Sequence, residues 1–312
     1  MILDILWVLA GLTLIVLGAE FLVDGASSIA RKAKISEFVI GLTIVGFGTS
    51  CPELVVSLTG ALEGNADISI GNVLGSNIFN VLLILGMTAL IRPVAVTDIN
   101  RKRDVPVALL VSFLFVFFGM TDHTVSRLEG IVLLLFFASY MYLCFSDRKT
   151  ATEEVQDSEI KERNLFVSIL FVLGGLAALI FGGRFFVDNA VDVAHQLGVS
   201  DKVIAITLLA GGTSLPELAT CIVAALKNKS QLALGNIIGS NIFNILLIIG
   251  ISSSIVPLSY SGMSIMDSVA LLVSAALVWM STYTGRKDRI DRWEGALMIV
   301  AFTVYYVFLF RS

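Results

Sequence analysis

The segment from Gly46 to Asn80 occurs twice in this 312-residue chain, the second copy lying 164 residues downstream. Its ends read Gly48-Thr49-Ser50-Cys51-Pro52-Glu53 and Gly71-Asn72-Val73-Leu74-Gly75-Ser76-Asn77-Ile78-Phe79-Asn80. The counterparts are Gly212-Thr213-Ser214-Leu215-Pro216-Glu217 and Gly235-Asn236-Ile237-Ile238-Gly239-Ser240-Asn241-Ile242-Phe243-Asn244. From Gly71 to Gly86, 12 of 16 positions are identical, and the other four exchange Val, Leu and Ile. The likeness continues outward: Gly18 to Asp24 aligns with Gly182 to Asp188 at the same offset. Arg127-Leu128-Glu129-Gly130 resembles Arg292-Trp293-Glu294-Gly295 one residue later.

Both copies sit among apolar runs. The chain is 56% hydrophobic and 15% charged, with a mean hydropathy of +0.91, where a soluble domain carries roughly a quarter charged residues. Ten runs reach spanning length, about 20 residues each: 2–23, 36–62, 69–91, 105–121, 127–145, 164–187, 200–226, 231–254, 263–283 and 292–310. The expected fold is therefore an all-α polytopic membrane protein with ten transmembrane helices. Residues 1–145 form one five-helix repeat and 164–312 the other, joined by the polar linker 146–163. An odd number of helices per repeat makes the second enter from the opposite side, so the repeats are inverted, an arrangement found in transporters with a site near the midplane.

Lys and Arg in alternate loops divide 17 to one side and four to the other. The basic side is expected to be cytoplasmic, with both termini outside and the plasma membrane as location. The first run is spanning length, so no cleavable signal is expected. Cys51, Cys144 and Cys221 lie inside apolar runs without metal-ligand or disulfide spacing, and His123 and His195 stand far apart. No enzymatic activity, cofactor or nucleic-acid partner is expected; the partners are the lipid bilayer and inorganic cations. Oligomeric state is not legible.

Pro52 and Pro216 fall midway through spans of about 27 residues. An interior proline removes a backbone hydrogen bond and clashes with the preceding turn, and the flanking glycines weaken the helix further. Each span should break near Thr49 and Thr213, leaving free carbonyls around Gly46-Phe47 and Ala210-Gly211 that suit a hard cation. Irregular backbone at that depth is tolerated where it lines a cavity or is buried in protein. Ser50-x-x-Glu53 and Ser214-x-x-Glu217 also fit a capping box with proline in the first turn. Capping does not explain the carboxylic acid, since burying a charge in mid-membrane costs about 2.5–3.5 kcal/mol on insertion scales. Asn72, Ser76 and Asn80 make a polar stripe at i, i+4, i+8, repeated by Asn236, Ser240 and Asn244. Asn72, Asn236 and the Gly-x-x-x-Gly pairs read as helix packing. Asn80 and Asn244 read as coordination, and Asn77 and Asn241 as braces for backbone at the break. This oxygen-only set favours Na⁺, Ca²⁺ or H⁺ over soft metals.

The doubled Gly-Thr-Ser-x-Pro-Glu and Gly-Ser-Asn-Ile-Phe-Asn motifs resemble the sodium/calcium exchanger family of the Ca²⁺:cation antiporter superfamily, without its regulatory insertion. The resemblance covers nearly the whole chain. It implies ion sites between the second, third, seventh and eighth helices, with Glu53 and Glu217 as central ligands. Thr49, Ser50, Ser76 and Asn80, with Thr213, Ser214, Ser240 and Asn244, would supplement them, as would the carbonyls of Gly46 and Ala210. Helices one and six would be the sliding gate. Three positions depart from the family pattern: Cys51 replaces leucine, Gly211-Gly212 replaces an aromatic-glycine pair, and Asn244 stands where potassium-dependent relatives carry Asp. The expected function is antiport of Na⁺ and Ca²⁺ by alternating access at one shared site. The alternatives are a Ca²⁺/H⁺ antiporter, a cation channel, or a scaffold whose polar stripe only packs helices.

Overall fold

The computed structural model describes residues 2–146, 164–199, 204, 210–286 and 288–311. The expected linker from residue 147 on, and the expected first half of the seventh span apart from Ile204, lie outside the described residues.

Apolar sequence and helix-end chemistry together set the elements. The first helix, α1, runs Ile2–Ala33. Ser36 caps the next by accepting from the Val39 amide at 3.2 Å; that helix is α2 (Glu37–Thr49), followed after a 48° bend by α3 (Cys51–Leu62). Next come α4 (Ala66–Ile91), α5 (Asn100–Thr121), α6 (Arg127–Ser146) and α7 (Leu165–Gln196), the last capped by Asn164. A short helical turn, Ala210–Gly212, precedes α8 (Leu215–Leu226). The chain then forms α9 (Ser230–Ile255), α10 (Ile265–Ser281) and α11 (Arg292–Arg311). Ser264 and Asp267 form a capping box at the start of α10. Among the described residues, seven helices are long and apolar enough to span a membrane, eight if α2 and α3 are one bent span; α8 and α10 are shorter apolar helices.

Two features depart from the sequence reading. Both α1 and α7 have 32 residues rather than ending at 23 and 187. Their polar extensions are held by partners, as where Ser168 Oγ donates to Ser28 Oγ at 2.8 Å. Four two-residue strands also form in the loops: β1 (Val94–Ala95), β2 (Thr124–Val125), β3 (Leu258–Ser259) and β4 (Arg289–Ile290). Antiparallel pairs join β1 to β4, with Val94 opposite Ile290, and β2 to β3, with Val125 opposite Leu258. Apolar content alone carries no signal for such short pairings.

The two 32-residue helices pack against each other along their length, and they run antiparallel. Gly11 faces Gly182, Gly18 faces Gly175, and Gly25 faces Ser168, so the residue numbers along the seam sum to a constant. Small residues every seventh position let the backbones approach closely, the usual means of helix association where lipid removes the hydrophobic driving force. Edge-to-face pairs flank the seam, Trp7 with Phe185 at 5.6 Å and Phe21 with Phe171 at 5.0 Å.

The core is built on α4 and α9. In their most apolar windows 67% and 94% of residues are buried, against 28% for α1 and α7. Gly235 and Gly239 lie against the backbone of Phe38 and Leu42 in α2. For Gly71 and Gly75 no such approach exists among the described residues. Each half also ties its outer hairpin with one buried bond: Tyr140 Oη donates to Asp104 at 2.9 Å and Tyr305 Oη to Asp267 at 2.9 Å.

The α1–α7 seam gives a direct test. A side chain at Gly175 meets the backbone of Gly18 and Leu22, whereas its neighbour Gly174 has nothing within 4 Å. Gly175→Leu is expected to lower stability by about 1–3 kcal/mol, and Gly174→Ala to leave it unchanged or raise it. Thermal unfolding in detergent reads both.

Candidate ion site

Each half supplies a broken helix followed by a proline-started one. Ser50 and Ser214 leave helical geometry at φ −82°, ψ 5° and φ −89°, ψ 6°. Pro52 and Pro216 then sit in the first turn of α3 and α8, where a missing N–H costs nothing. The breaks therefore fall at the residues expected from the prolines. Glu53 and Glu217 stand in the same first turns, at 1% and 0% exposure.

The serines do not cap. Neither Ser50 nor Ser214 makes a side-chain cap hydrogen bond, so the capping-box reading is overturned. Their hydroxyls cross between the halves: Ser50 Oγ donates to Glu217 Oε1 at 3.1 Å, and Ser214 Oγ donates to Glu53 Oε1 at 3.2 Å. The physical reason is direction: a hydroxyl turned across to the opposite carboxylate lies away from the amides of its own first turn. A buried carboxylate needs a hydrogen bond more than a first-turn amide near a helix N-terminus does.

Asparagines organise the facing helices. Asn77 Nδ2 donates to the Asn241 carbonyl at 3.2 Å, and Asn241 Nδ2 to the Asn77 carbonyl at 3.4 Å. Asn80 Nδ2 donates to Asn241 Oδ1 at 3.2 Å, and Asn244 Nδ2 to Asn77 Oδ1 at 2.9 Å. So Asn77 and Asn241 brace α4 against α9 at their crossing, not the broken helices as expected. In both helices the backbone widens into a π-helical stretch there, Phe79–Leu85 and Phe243–Ile249, a feature frequent at functional sites. Asn72 Nδ2 donates to the Glu53 carbonyl at 3.2 Å and to Ser57 Oγ at 2.9 Å. Its counterpart Asn236 reaches Cys221 Sγ at 3.3 Å. Both therefore pin the adjoining half-helix.

The remaining residues assemble around these. Thr49 Oγ1 donates to the Val45 carbonyl at 3.0 Å and lies 3.2 Å from Asn236 Oδ1. Ser240 Oγ lies 3.5 Å from both the Gly46 carbonyl and Glu217 Oε1. Ser76 is buried on α4. Thr213 sits in the second break, just after the Ala210–Gly212 turn. Cys51 lies in the first break, its thiol donating to the Phe47 carbonyl at 3.3 Å.

What is left over defines the chemistry. Glu53 Oε2, Glu217 Oε2, Asn80 Oδ1, Asn244 Oδ1 and Thr213 Oγ1 are buried without a hydrogen-bond partner among the described residues. Four of these are acceptor-only oxygens in two pairs, each pair related by the 164-residue offset. Neither carboxylate has an ion-pair partner among the described residues. An unpaired buried charge is costly, and every one of these groups gains from a cation. Among the described residues, no group of three or more His, Cys, Asp or Glu gathers anywhere, so the donors are two acids plus neutral oxygens, a hard-cation set.

These features define a helical membrane protein with a buried, oxygen-lined candidate cation site made of paired half-sites. The family profile for sodium/calcium exchanger proteins matches residues 3–146 and 167–311. A putative antiporter, CaxA of Alkalimonas amylolytica, is 40% identical, with all of both chains covered. The sodium/calcium exchanger MaX1 of Methanosarcina acetivorans is 33% identical over 98% of both. The fold is similar to that of the sodium-calcium exchanger NCX_Mj, with a TM-score of 0.85 and 32% identity over 98% of both chains. The chain belongs to the sodium/calcium exchanger family.

The braces Asn77 and Asn241, which hold α4 to α9 rather than the broken helices, yield the second test. Asn77→Ala removes a donor to the facing carbonyl and an acceptor for Asn244. Each single alanine variant is expected to cost about 1–3 kcal/mol. The double variant should cost less than their sum, because the bonds are reciprocal. Melting of the three variants measures this.

Proposed function

We propose that the chain exchanges Na⁺ for Ca²⁺ by alternating access, with both ions competing for one site between Glu53 and Glu217. The observation that carries this reading is the set of four unpartnered buried oxygens, Glu53 Oε2, Glu217 Oε2, Asn80 Oδ1 and Asn244 Oδ1. One Ca²⁺ neutralises both carboxylates, as do two Na⁺, so the same site is satisfied by either load but not by both. Thr49, Ser50, Ser76, Thr213, Ser214 and Ser240 complete it, with the carbonyls of Gly46 and Ala210. The similarity to MaX1 and NCX_Mj, both sodium/calcium exchangers by name, speaks for Na⁺ as counter-ion.

The wider architecture in this reading is ten transmembrane helices in two inverted repeats, 1–145 and 164–312, around the connecting segment 146–163. Several symmetric relations support it. Helices α1 and α7 run antiparallel, as equivalent helices of inverted repeats must. The β1–β4 and β2–β3 registers interchange under the repeat offset, and so do the crossed Ser–Glu bonds. The basic loops face the cytoplasm, the termini lie outside, and the location is the plasma membrane.

Unequal cover of the two half-helices supports alternating access. Helix α1 packs along α8, while α7 makes no comparable contact with α3. Val55 of α3 is 53% exposed, whereas its counterpart Ala219 is partly covered. The site is thus nearer to opening on the side away from the basic loops. On the basic side Lys227 meets Asp24 of α1 at 2.7 Å. The positions related by the offset are Glu63 and Asp188, two acids that cannot form that bridge. The pair therefore favours the present state over its mirror image.

Two measurements test this. In proteoliposomes, imposed Na⁺ and pH gradients applied separately distinguish the couplings. Ca²⁺ uptake is expected to follow the Na⁺ gradient and to vanish in Glu53→Gln, which should keep its fold because it removes a buried charge. Uptake that follows the pH gradient alone assigns the same site to Ca²⁺/H⁺ exchange. Flux down the Ca²⁺ gradient without a counter-ion indicates a channel. Lys227→Glu, which copies the opposite face, is expected to reduce labelling of a cysteine placed at Val55 by about two- to fivefold, the worth of a partly exposed ion pair. Unchanged labelling removes the latch.

A further inference from the structure

A cavity of about 600 Å³ lies on the basic face, remote from the carboxylates. Three arginines from two stretches of chain line it: Arg92 just after α4, and Arg289 in β4 with Arg292 at the start of α11. Asp288 is the one acid in the lining, and Ile91 and Leu226 supply an apolar wall. Arg289 is paired with Asp291 at 2.7 Å. Arg292 makes only a 3.4 Å contact to the Ile91 carbonyl, and Arg92 has no ion pair among the described residues.

The N-terminus of α9 opens on the same cavity at Ser230. Lys229 occupies its cap position without a side-chain cap bond. The first amide bonding back along the helix is that of Ala233, to the Lys229 carbonyl at 3.1 Å. The amides of the first turn are therefore oriented donors with partial positive charge.

Internal symmetry shows that the fold does not demand this charge. The two strand pairs repeat the same backbone register on the opposite face. There the positions equivalent to Arg92, Arg289 and Arg292 are Val256, Thr124 and Arg127. The same architecture is thus built with one arginine in place of three. A topological preference for basic loops places arginines somewhere on this side; it does not bring three of them, from two distant stretches of chain, to one cavity beside an uncapped helix.

We propose that this cavity is a phosphate site, taking the diester of an anionic phospholipid headgroup or a free phosphate ion. Guanidinium groups bind phosphate oxygens through paired N–H donors, and a helix N-terminus adds amide donors. The apolar wall of Ile91 and Leu226 beside the arginines matches a ligand with a charged head and a hydrocarbon body.

The test uses the full chain in detergent, with binding as the readout, so it is independent of ion exchange. Phosphatidylglycerol, phosphatidylcholine and inorganic phosphate are titrated separately, the lipids by native mass spectrometry and phosphate by calorimetry. Phosphatidylglycerol is expected to be retained over phosphatidylcholine. Arg92→Gln/Arg292→Gln should weaken it about twenty-fold, from the roughly fivefold worth of each basic residue against anionic lipid. Arg127→Gln on the opposite face should change nothing. Binding of inorganic phosphate with the same variant dependence upholds the site and assigns it a soluble ligand. Should the double variant fail to fold, Arg92→Val, the residue its counterpart backbone already carries at Val256, gives the same reading. Retention of none of the three, or retention undiminished in a folded variant, overturns the proposal.

Discussion

A carboxylate oxygen in a water-free interior must find a partner, and this molecule offers fewer partners than it has oxygens. Glu53 and Glu217 each receive one serine hydroxyl across the junction and keep one oxygen unpaired. Much of the architecture follows from keeping those two acids close and dry. The broken helices deliver them in first turns. The asparagine lattice between α4 and α9 fixes the amides of Asn80 and Asn244 so that their nitrogens are committed and their oxygens are free. Asn72 ties α4 back to the α3 backbone at Glu53 itself. Side chains whose donors are spent on protein and whose acceptors are not make a selective host for a cation.

The sequence disclosed the parts of this site that carry an energetic penalty. Proline in mid-span and glutamate in an apolar run are both expensive, so their presence marks the breaks and the acids without any structure. Residues that could be satisfied locally were harder to read. Ser50-x-x-Glu53 matches a capping box in spacing and composition, and only the partner half, 164 residues away, shows that the hydroxyl is needed elsewhere. Asn77 and Asn241 sit one face away from the polar stripe, and their reciprocal bonds depend on how α4 crosses α9. The π-helical stretches at Phe79–Leu85 and Phe243–Ile249 contain no proline or glycine to announce them, and Asn80 and Asn244 within them read as ligands rather than as marks of widened backbone. The lengths of α1 and α7 were underestimated because hydropathy falls where Asp24, Ser27 and Ser28 begin, although packing between helices carries the structure on.

Duplication also explains why so much of the fold is doubled in detail. Tyr140 with Asp104 and Tyr305 with Asp267 are analogous bonds, made from nearly matching positions of the two halves. Trp7 with Phe185 and Phe21 with Phe171 are one aromatic contact and its image. The proposed alternating access asks for two arrangements of near-equal energy, related by exchanging the roles of the halves. In the proposed mechanism the ion load decides between them, because a site filled by one Ca²⁺ or by Na⁺ no longer holds uncompensated charge and can be covered from either side.

Departures from symmetry then carry the information that symmetry cannot. A perfectly duplicated exchanger would populate its two arrangements equally and treat both membrane faces alike. Here the duplicated core of the repeat holds the candidate site, while the loops diverge: Lys227 and Asp24 attract where the positions related by the offset, Glu63 and Asp188, are both acids, and Lys229 binds Glu37 where Asn65 stands on the other face. Each difference lies at the rim, where a modest electrostatic term tilts a near-balanced equilibrium without touching the ligands. In the proposed mechanism, specificity for the ion and preference for a direction are therefore separable, the first written in the paired motifs and the second in the loops that fail to match.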